Sequence, residues 1–211
     1  MESRAKGVHG TLVGVIGPLM YDPSEWERTE QFRSSLTLCE CMDAATHERS
    51  LVLRAQSGDR GAFEELLQTI DKPLLRYLTA IVRDRCTPED VLQDVLITIV
   101  RKLVWLRDPS LFRAWAFRIA SRAAYRAMKN ERPTDPVEEY GAGDLEPPDP
   151  WLRERLREAL PHVSDASRAV ILLHYFEELS LSDVAAALEV SLGTVKSRLA
   201  YGLAQLRKEL T

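Results

Sequence analysis

Residues 133–150, PTDPVEEYGAGDLEPPDP, cannot contribute to a hydrophobic core, and they split the chain in two. Five prolines and two glycines interrupt any regular backbone period, while six acidic side chains with no basic one repel each other. Such a segment is a semi-extended linker. On both sides of it apolar residues return at helical spacing. The chain therefore reads as all-α: two small helical domains, residues 46–132 and 151–211, joined by an acidic Pro-rich linker. A total of 211 residues leaves each half enough length to bury a core.

Residues 1–45 show no sustained period and are punctuated by Gly7, Gly10, Gly14, Gly17, Pro18 and Pro23, so a poorly ordered extension is expected. Met42 opens the helical pattern. The preceding stretch is then either an over-long reading of the gene or a regulatory extension. No apolar run reaches the ~20 residues a membrane span needs, and Gly10–Met20 lacks a secretory cleavage pattern, so a cytoplasmic protein is expected. Cys39, Cys41 and Cys86 make no disulfide framework, and Cys39, Cys41 and His47 fall short of a four-ligand metal set. The four histidines are scattered, with no nucleophile–base pair and no phosphate-cradling glycine loop. No enzyme activity, metal or cofactor is implied.

The net charge of −4 conceals a strong polarity. Residues 76–132 carry 12 basic and 6 acidic side chains, whereas residues 151–211 balance at 8 and 8. Only this local distribution informs about nucleic acid. Much of the excess lies in Leu111 to Arg132, LFRAWAFRIASRAAYRAMKNER, which reads as one helix. Phe112, Ala116, Ile119, Ala120, Ala123 and Ala127 gather on one side; Arg118, Arg122, Tyr125 and Lys129 gather on another, with Trp115 and Arg126 at the border. Cations beside aromatic rings suit a single nucleic-acid strand, neutralising phosphates and stacking on bases. The alternative is a solvated basic face over a helical core, and Trp115 fits either a core or a stacking role.

Upstream, His47–Gln56 forms a helix broken by Ser57-Gly58-Asp59, another begins at Arg60, and Pro73 sits near a further helix start. Thr87 as N-cap, Pro88 at the first position and Asp90 reaching back from the third open a helix to about Leu106. It buries Val91, Leu92, Val95, Ile99 and Leu103 and leaves Asp90, Gln93, Asp94 and Arg101 outside. In the second domain, Leu152, Leu156 and Leu160 mark one helix and Asp165 can cap another. Ser180 with Asp183 makes a capping box for Leu181–Leu188, and Ser191 caps a last helix to about Leu210. A short helix, a tight turn and a longer helix are the helix-turn-helix plan. Thr194, Lys196, Ser197 and Arg198 on the last helix can meet phosphates and base edges.

Together, AFEELL (residues 62–67), EDVLQDVLITIVRKL (89–103), FRAWAFRIASRAA (112–124) and LSLSDVAAALEVSLGTVKSRLAYGLAQLRKEL (179–210) resemble an RNA polymerase sigma factor of the extracytoplasmic-function (ECF) type. The resemblance implies a sigma domain 2-like bundle and a sigma domain 4-like helix-turn-helix. It implies core RNA polymerase, promoter DNA and an anti-sigma factor or other regulatory protein as partners. Asp90, Gln93 and Asp94 then correspond to polymerase contacts. Arg113, Trp115, Arg118, Arg122, Tyr125, Arg126 and Lys129 correspond to the part that melts and holds the −10 element. Ser191, Thr194, Lys196, Ser197 and Arg198 correspond to the −35 reader. A helical adaptor, or a stand-alone helix-turn-helix regulator that does not melt promoters, is the alternative.

Two departures stand out. Glu189 occupies a turn position where the family commonly has glycine, so the turn is expected to be shifted or weakened. After Arg198, LAYGLAQL lacks the family's usual cations, which implies few phosphate contacts or an apolar surface for a partner protein. Gly202 interrupts that helix at a cost of ~1 kcal/mol against alanine.

Overall fold

A computed structural model describes residues 38–130 and 158–210. The expected disorder before residue 38, the linker at 133–150 and the helix start at 151–157 lie outside the described residues. Seven α-helices are described: α1 Leu38–Gln56, α2 Arg60–Val82, α3 Pro88–Lys102, α4 Phe112–Asn130, α5 Asp165–Ile171, α6 Leu181–Leu188 and α7 Leu192–Leu210. Among the described residues there is no strand, and no helix is long and apolar enough to cross a membrane.

α1 begins before Met42, so helical order starts earlier than the lost period before that residue suggests. Gly58, at φ 94°, supplies the reversal into α2, and Asp59 caps α2 by accepting from the Ala62 N–H at 3.0 Å. Pro73 starts no new helix; it lies within α2, which runs unbroken to Val82. The apolar period Leu66, Ile70, Leu74, Tyr77, Leu78 and Ile81, all buried, continues through the proline, and packing on α1, α3 and α4 outweighs the missing donor. The buried Tyr77 hydroxyl meets Ser121 Oγ of α4 at 2.7 Å, and its ring stands edge-on to Phe117. The α3 start is marked by Pro88, while the Thr87 side chain makes no capping bond.

In the second half Ser164, not Asp165, caps α5. α5 runs into a wider π turn, Leu172–Phe176. Ser180 Oγ accepts from Asp183 N at 3.1 Å, and Ser191 Oγ accepts from Thr194 N at 3.1 Å, so both helix-turn-helix caps form. Leu199, Leu203 and Leu206 are buried. The cation-poor run after Arg198 thus turns Leu199, Leu203 and Leu206 to the core and leaves Ala200, Tyr201 and Ala204 exposed, Tyr201 at 59%.

Gly202 marks where α7 crosses α5. A Cβ there would lie 2.8 Å from Ile171 Cδ1 and 2.9 Å from Ser167 Cβ. Overpacking typically costs about 1–3 kcal/mol, against about 1 kcal/mol gained in helix propensity. Gly202→Ala should therefore lose about 1 kcal/mol net and melt a few degrees lower by differential scanning calorimetry. A raised melting temperature would show that the crossing has room.

The halves pack on each other. α6 lies along α4, α5 touches α2, and the buried apolar residues form one cluster across both.

Candidate nucleic-acid interface

α4 is amphipathic, and its inner side is fixed by Phe112, Ala116, Phe117, Ala120 and Ala124, all fully buried. At 100° per residue, Arg118, Arg122, Tyr125, Arg126 and Lys129 share the opposite side. Arg122, Tyr125, Arg126 and Lys129 are exposed and Arg118 is half-buried. Two residues expected in this set sit elsewhere. Arg113 turns back to α1, where its Nε donates to Glu48 Oε2 at 3.0 Å. Trp115 is half-buried against the core, its ring centroid 6.2 Å from that of Phe112. Both positions follow from the 3-10 turn Pro109–Leu111, which packs on α1, and from the core beneath the start of α4.

Arg122 is engaged within the chain. Its Nε donates to Glu189 Oε2 at 2.8 Å, and its Nη2 donates to Glu189 Oε1. The guanidinium, with the nearby charge of Arg118, holds the Glu189 carboxyl below the usual carboxylate range. Glu189 itself adopts the left-handed conformation at φ 56°, ψ 43°, ending α6 with its N–H on the Ala185 carbonyl. The turn is thus not shifted; a glutamate takes the glycine conformation, and its side chain crosses to α4.

Three further ties join the halves. Arg85 Nη2 donates to Asp165 Oδ2 at 2.6 Å, Arg83 Nη1 reaches the Pro161 carbonyl at 3.3 Å, and Arg76 Nη2 donates to Glu177 Oε1 at 3.0 Å. Burial raises the Glu177 carboxyl despite Arg76. At this junction burial raises the Tyr125 phenol, with Arg198 of α7 pulling the other way.

On α7, Lys196 and Ser197 are exposed and Arg198 is half-buried. Thr194 and Ser191 hydroxyls meet at 2.8 Å, and Ser197 Oγ donates to the Gly193 carbonyl at 3.0 Å. Ser191, Thr194 and Ser197 thus form a polar first turn, and Lys196 is its outward cation. His47, weighed as a metal ligand, instead meets Glu65 Oε1 at 3.0 Å.

α3 presents Asp90, Gln93 and Asp94 exposed on one face. Ile97, Val100 and Val104, together with Trp105 beyond them, are exposed as well, Trp105 at 78%. By helical angle Ile97, Val100 and Val104 continue the strip begun by Asp90, opposite the buried Val91, Val95 and Ile99. Apolar residues on the side away from the core were the readable signal for this strip. Gln56 steadies the α3–α4 connection by donating to the Leu103 and Leu106 carbonyls, each at 2.8 Å, and Asp108 Oδ1 accepts from Ser110 N at 3.0 Å.

Residues 66–134 match the family described as Sigma-70 region 2, and residues 159–208 match Sigma-70, region 4. The RNA polymerase sigma-E factor of Streptomyces coelicolor is 33% identical over 152 residues, covering 70% of this chain and 85% of that one. The ECF RNA polymerase sigma factor RpoE of Cereibacter sphaeroides is 29% identical over 161 residues, covering 72% and 88%. Among solved structures, that of CnrH in complex with the cytosolic domain of CnrY aligns with a TM-score of 0.59 at 24% identity, over 78% of this chain and 97% of that one. That likeness is one of fold.

Proposed function

The chain belongs to the sigma-70 family as an ECF sigma factor, a protein that directs RNA polymerase to promoters, and from that premise we propose how its surfaces divide the work. The α3 strip of Asp90, Gln93, Asp94, Ile97 and Val100, with Val104 in the turn after it, docks on core polymerase. The α4 face of Arg118, Arg122, Tyr125, Arg126 and Lys129 holds the non-template strand as the −10 element melts. Ser191, Thr194, Lys196, Ser197 and Arg198 at the start of α7 meet the −35 duplex, and the linker at 133–150 spans the two. Bond formation belongs to the polymerase, and the reading places the protein in the cytoplasm. A regulatory protein of the anti-sigma kind completes the set of partners.

The observation that carries this reading is the single cationic and aromatic face on α4, backed by a rigid apolar core. Unpaired bases offer π faces and phosphates together, and this face offers their complements. Duplex is met instead by polar side chains at a helix start, as on α7.

The test separates melting from reading. Arg118→Ala/Arg122→Ala should lose run-off transcription on a closed promoter and recover part of it on a pre-opened bubble. The bubble removes an unpairing cost of a few kcal/mol. Lys196→Ala/Arg198→Ala should gain nothing from the bubble, and its binding should show a salt slope shallower by about one unit per lost phosphate contact. If the bubble rescues neither variant, α4 is not the strand-holding element.

A further inference from the structure

We propose that two copies of this chain pair through α3, antiparallel and about a two-fold axis near Ile97, so that each copy covers the strip the other offers to polymerase.

The strip is arranged to fit itself. Along α3 its exposed side chains run acidic, then apolar, then basic: Asp90 and Asp94 near the start, Ile97 and Val100 in the middle, Arg101 at the end. At 100° per residue Asp90, Asp94, Ile97 and Arg101 fall within about 60° of one another, so the charges share one face with the apolar residues. The other side of α3 packs on α2 and α4. Among the described residues no ion pair engages Asp94 or Arg101. Exposed apolar residues set between opposite charges mark a surface made for a complement.

Antiparallel pairing supplies that complement from a second copy. With Ile97 of the two copies facing each other, Asp94 lies three residues, about 4.5 Å, to one side of the axis. Arg101 lies four residues, about 6 Å, to the other side. Each Asp94 therefore comes level with Arg101 of the second copy to within about 1.5 Å, a mismatch the long arginine side chain spans. The ion pair forms twice because the interface is isologous. Parallel pairing sets Asp94 against Asp94 and Arg101 against Arg101, and like charges oppose it. Asp90 falls level with Val104 and gains no partner, which keeps the contact small.

Two helix faces bury less than a standard interface, so the dimer is weak, with a Kd on the order of 10 μM. It forms where the free chain accumulates, and polymerase displaces it by taking the same strip. That displacement rests on α3 being the docking face; the pairing itself does not.

The experiment is sedimentation velocity of the full chain at low salt, over concentrations that bracket about 10 μM. The wild type should pass from monomer to dimer. Asp94→Arg and Arg101→Asp should each self-associate at least about tenfold more weakly, since each brings like charges together twice. Mixed in equal amounts, the two variants should associate to within about threefold of wild type. The arginine placed at 94 in one then meets the aspartate placed at 101 in the other, and the second pair is the native one. The Asp94→Arg/Arg101→Asp double variant should likewise recover the homodimer, which also shows that neither substitution unfolds α3.

A chain that stays monomeric throughout, single variants that associate like wild type, or a mixture that stays monomeric overturns the pairing. The assignment of α3 to polymerase fails separately, through undiminished capture of Val100→Asp/Val104→Asp by the core enzyme.

Discussion

Replacing Val100 and Val104 together by aspartate is expected to lower capture of core RNA polymerase at least about a hundredfold while leaving the fold intact. The two side chains are 49% and 62% exposed in the isolated chain, so the change costs the folded state little. The core side of α3 is carried by Val91, Leu92, Val95 and Ile99, which the variant does not touch. If the strip is covered by polymerase, each aspartate must be stripped of water without a partner, a cost of order 1–3 kcal/mol on mutational scales. Two of them together reach about 3 kcal/mol, or about a hundredfold. Charge reversal at Asp90 and Asp94 should act differently. Exposed rim charges steer encounter more than they hold the complex, so Asp90→Lys/Asp94→Lys should slow association most at low salt. Surface plasmon resonance with immobilised core enzyme separates the two effects. Undiminished binding by the valine double variant would mean that α3 docks through another face or not at all.

The helices were readable because their causes are local. Ser180 and Ser191 cap where their positions before apolar runs indicate, and the period of α3 chooses the buried face seen in the structure, whereas the buried face of α4 is turned from the one read: Phe117 and Ala124 are fully buried and Ile119, Ala123 and Ala127 only half-buried. Pro73 misled because a proline's local cost was outweighed by burial on three neighbouring helices. The long-range contacts were not legible. Arg113 and Glu48 are 65 residues apart and Arg122 and Glu189 are 67 apart, and no periodicity links such pairs. Gly202 looked like an unexplained defect because its reason lies on another helix, in the approach of Ile171 and Ser167. The missing cations after Arg198 were visible as an absence, but only packing shows that Leu199, Leu203 and Leu206 fill the core. The proposed strand-holding face was legible as cations and Tyr125 on one side of α4. Its occupation by the chain's own carboxylate was not.

Arg168→Ala is expected to cost about 3–5 kcal/mol, from about 1–3 kcal/mol for each buried acceptor left without its donor together with the cavity left behind. Arg168 is 1% exposed, at the foot of the second half. Its Nη1 lies 3.3, 3.4 and 3.2 Å from the carbonyls of Leu160, Pro161 and Val163, and its Nη2 donates to Asp165 Oδ1. One guanidinium therefore gathers the chain entering α5. Burial lowers the Arg168 pKa, with Asp165 opposing the shift. Removing the side chain leaves these carbonyls without their donor and opens a large cavity beside Val163 and Ala169, both buried. Asp165 keeps Arg85, so the loss falls on the carbonyls rather than on the carboxylate. Arg168→Met fills much of the volume but donates nothing, and it should recover the cavity share alone. Arg168→Lys keeps a charge without the planar fork and should fall between wild type and alanine. With whole-domain stabilities of about 5–15 kcal/mol, the alanine variant should unfold its second half at much lower denaturant, followed by far-ultraviolet circular dichroism in urea. A loss below about 1 kcal/mol, the scale of an ordinary hydrogen bond, would mean that water replaces the guanidinium and that the entry to α5 is held by its apolar packing.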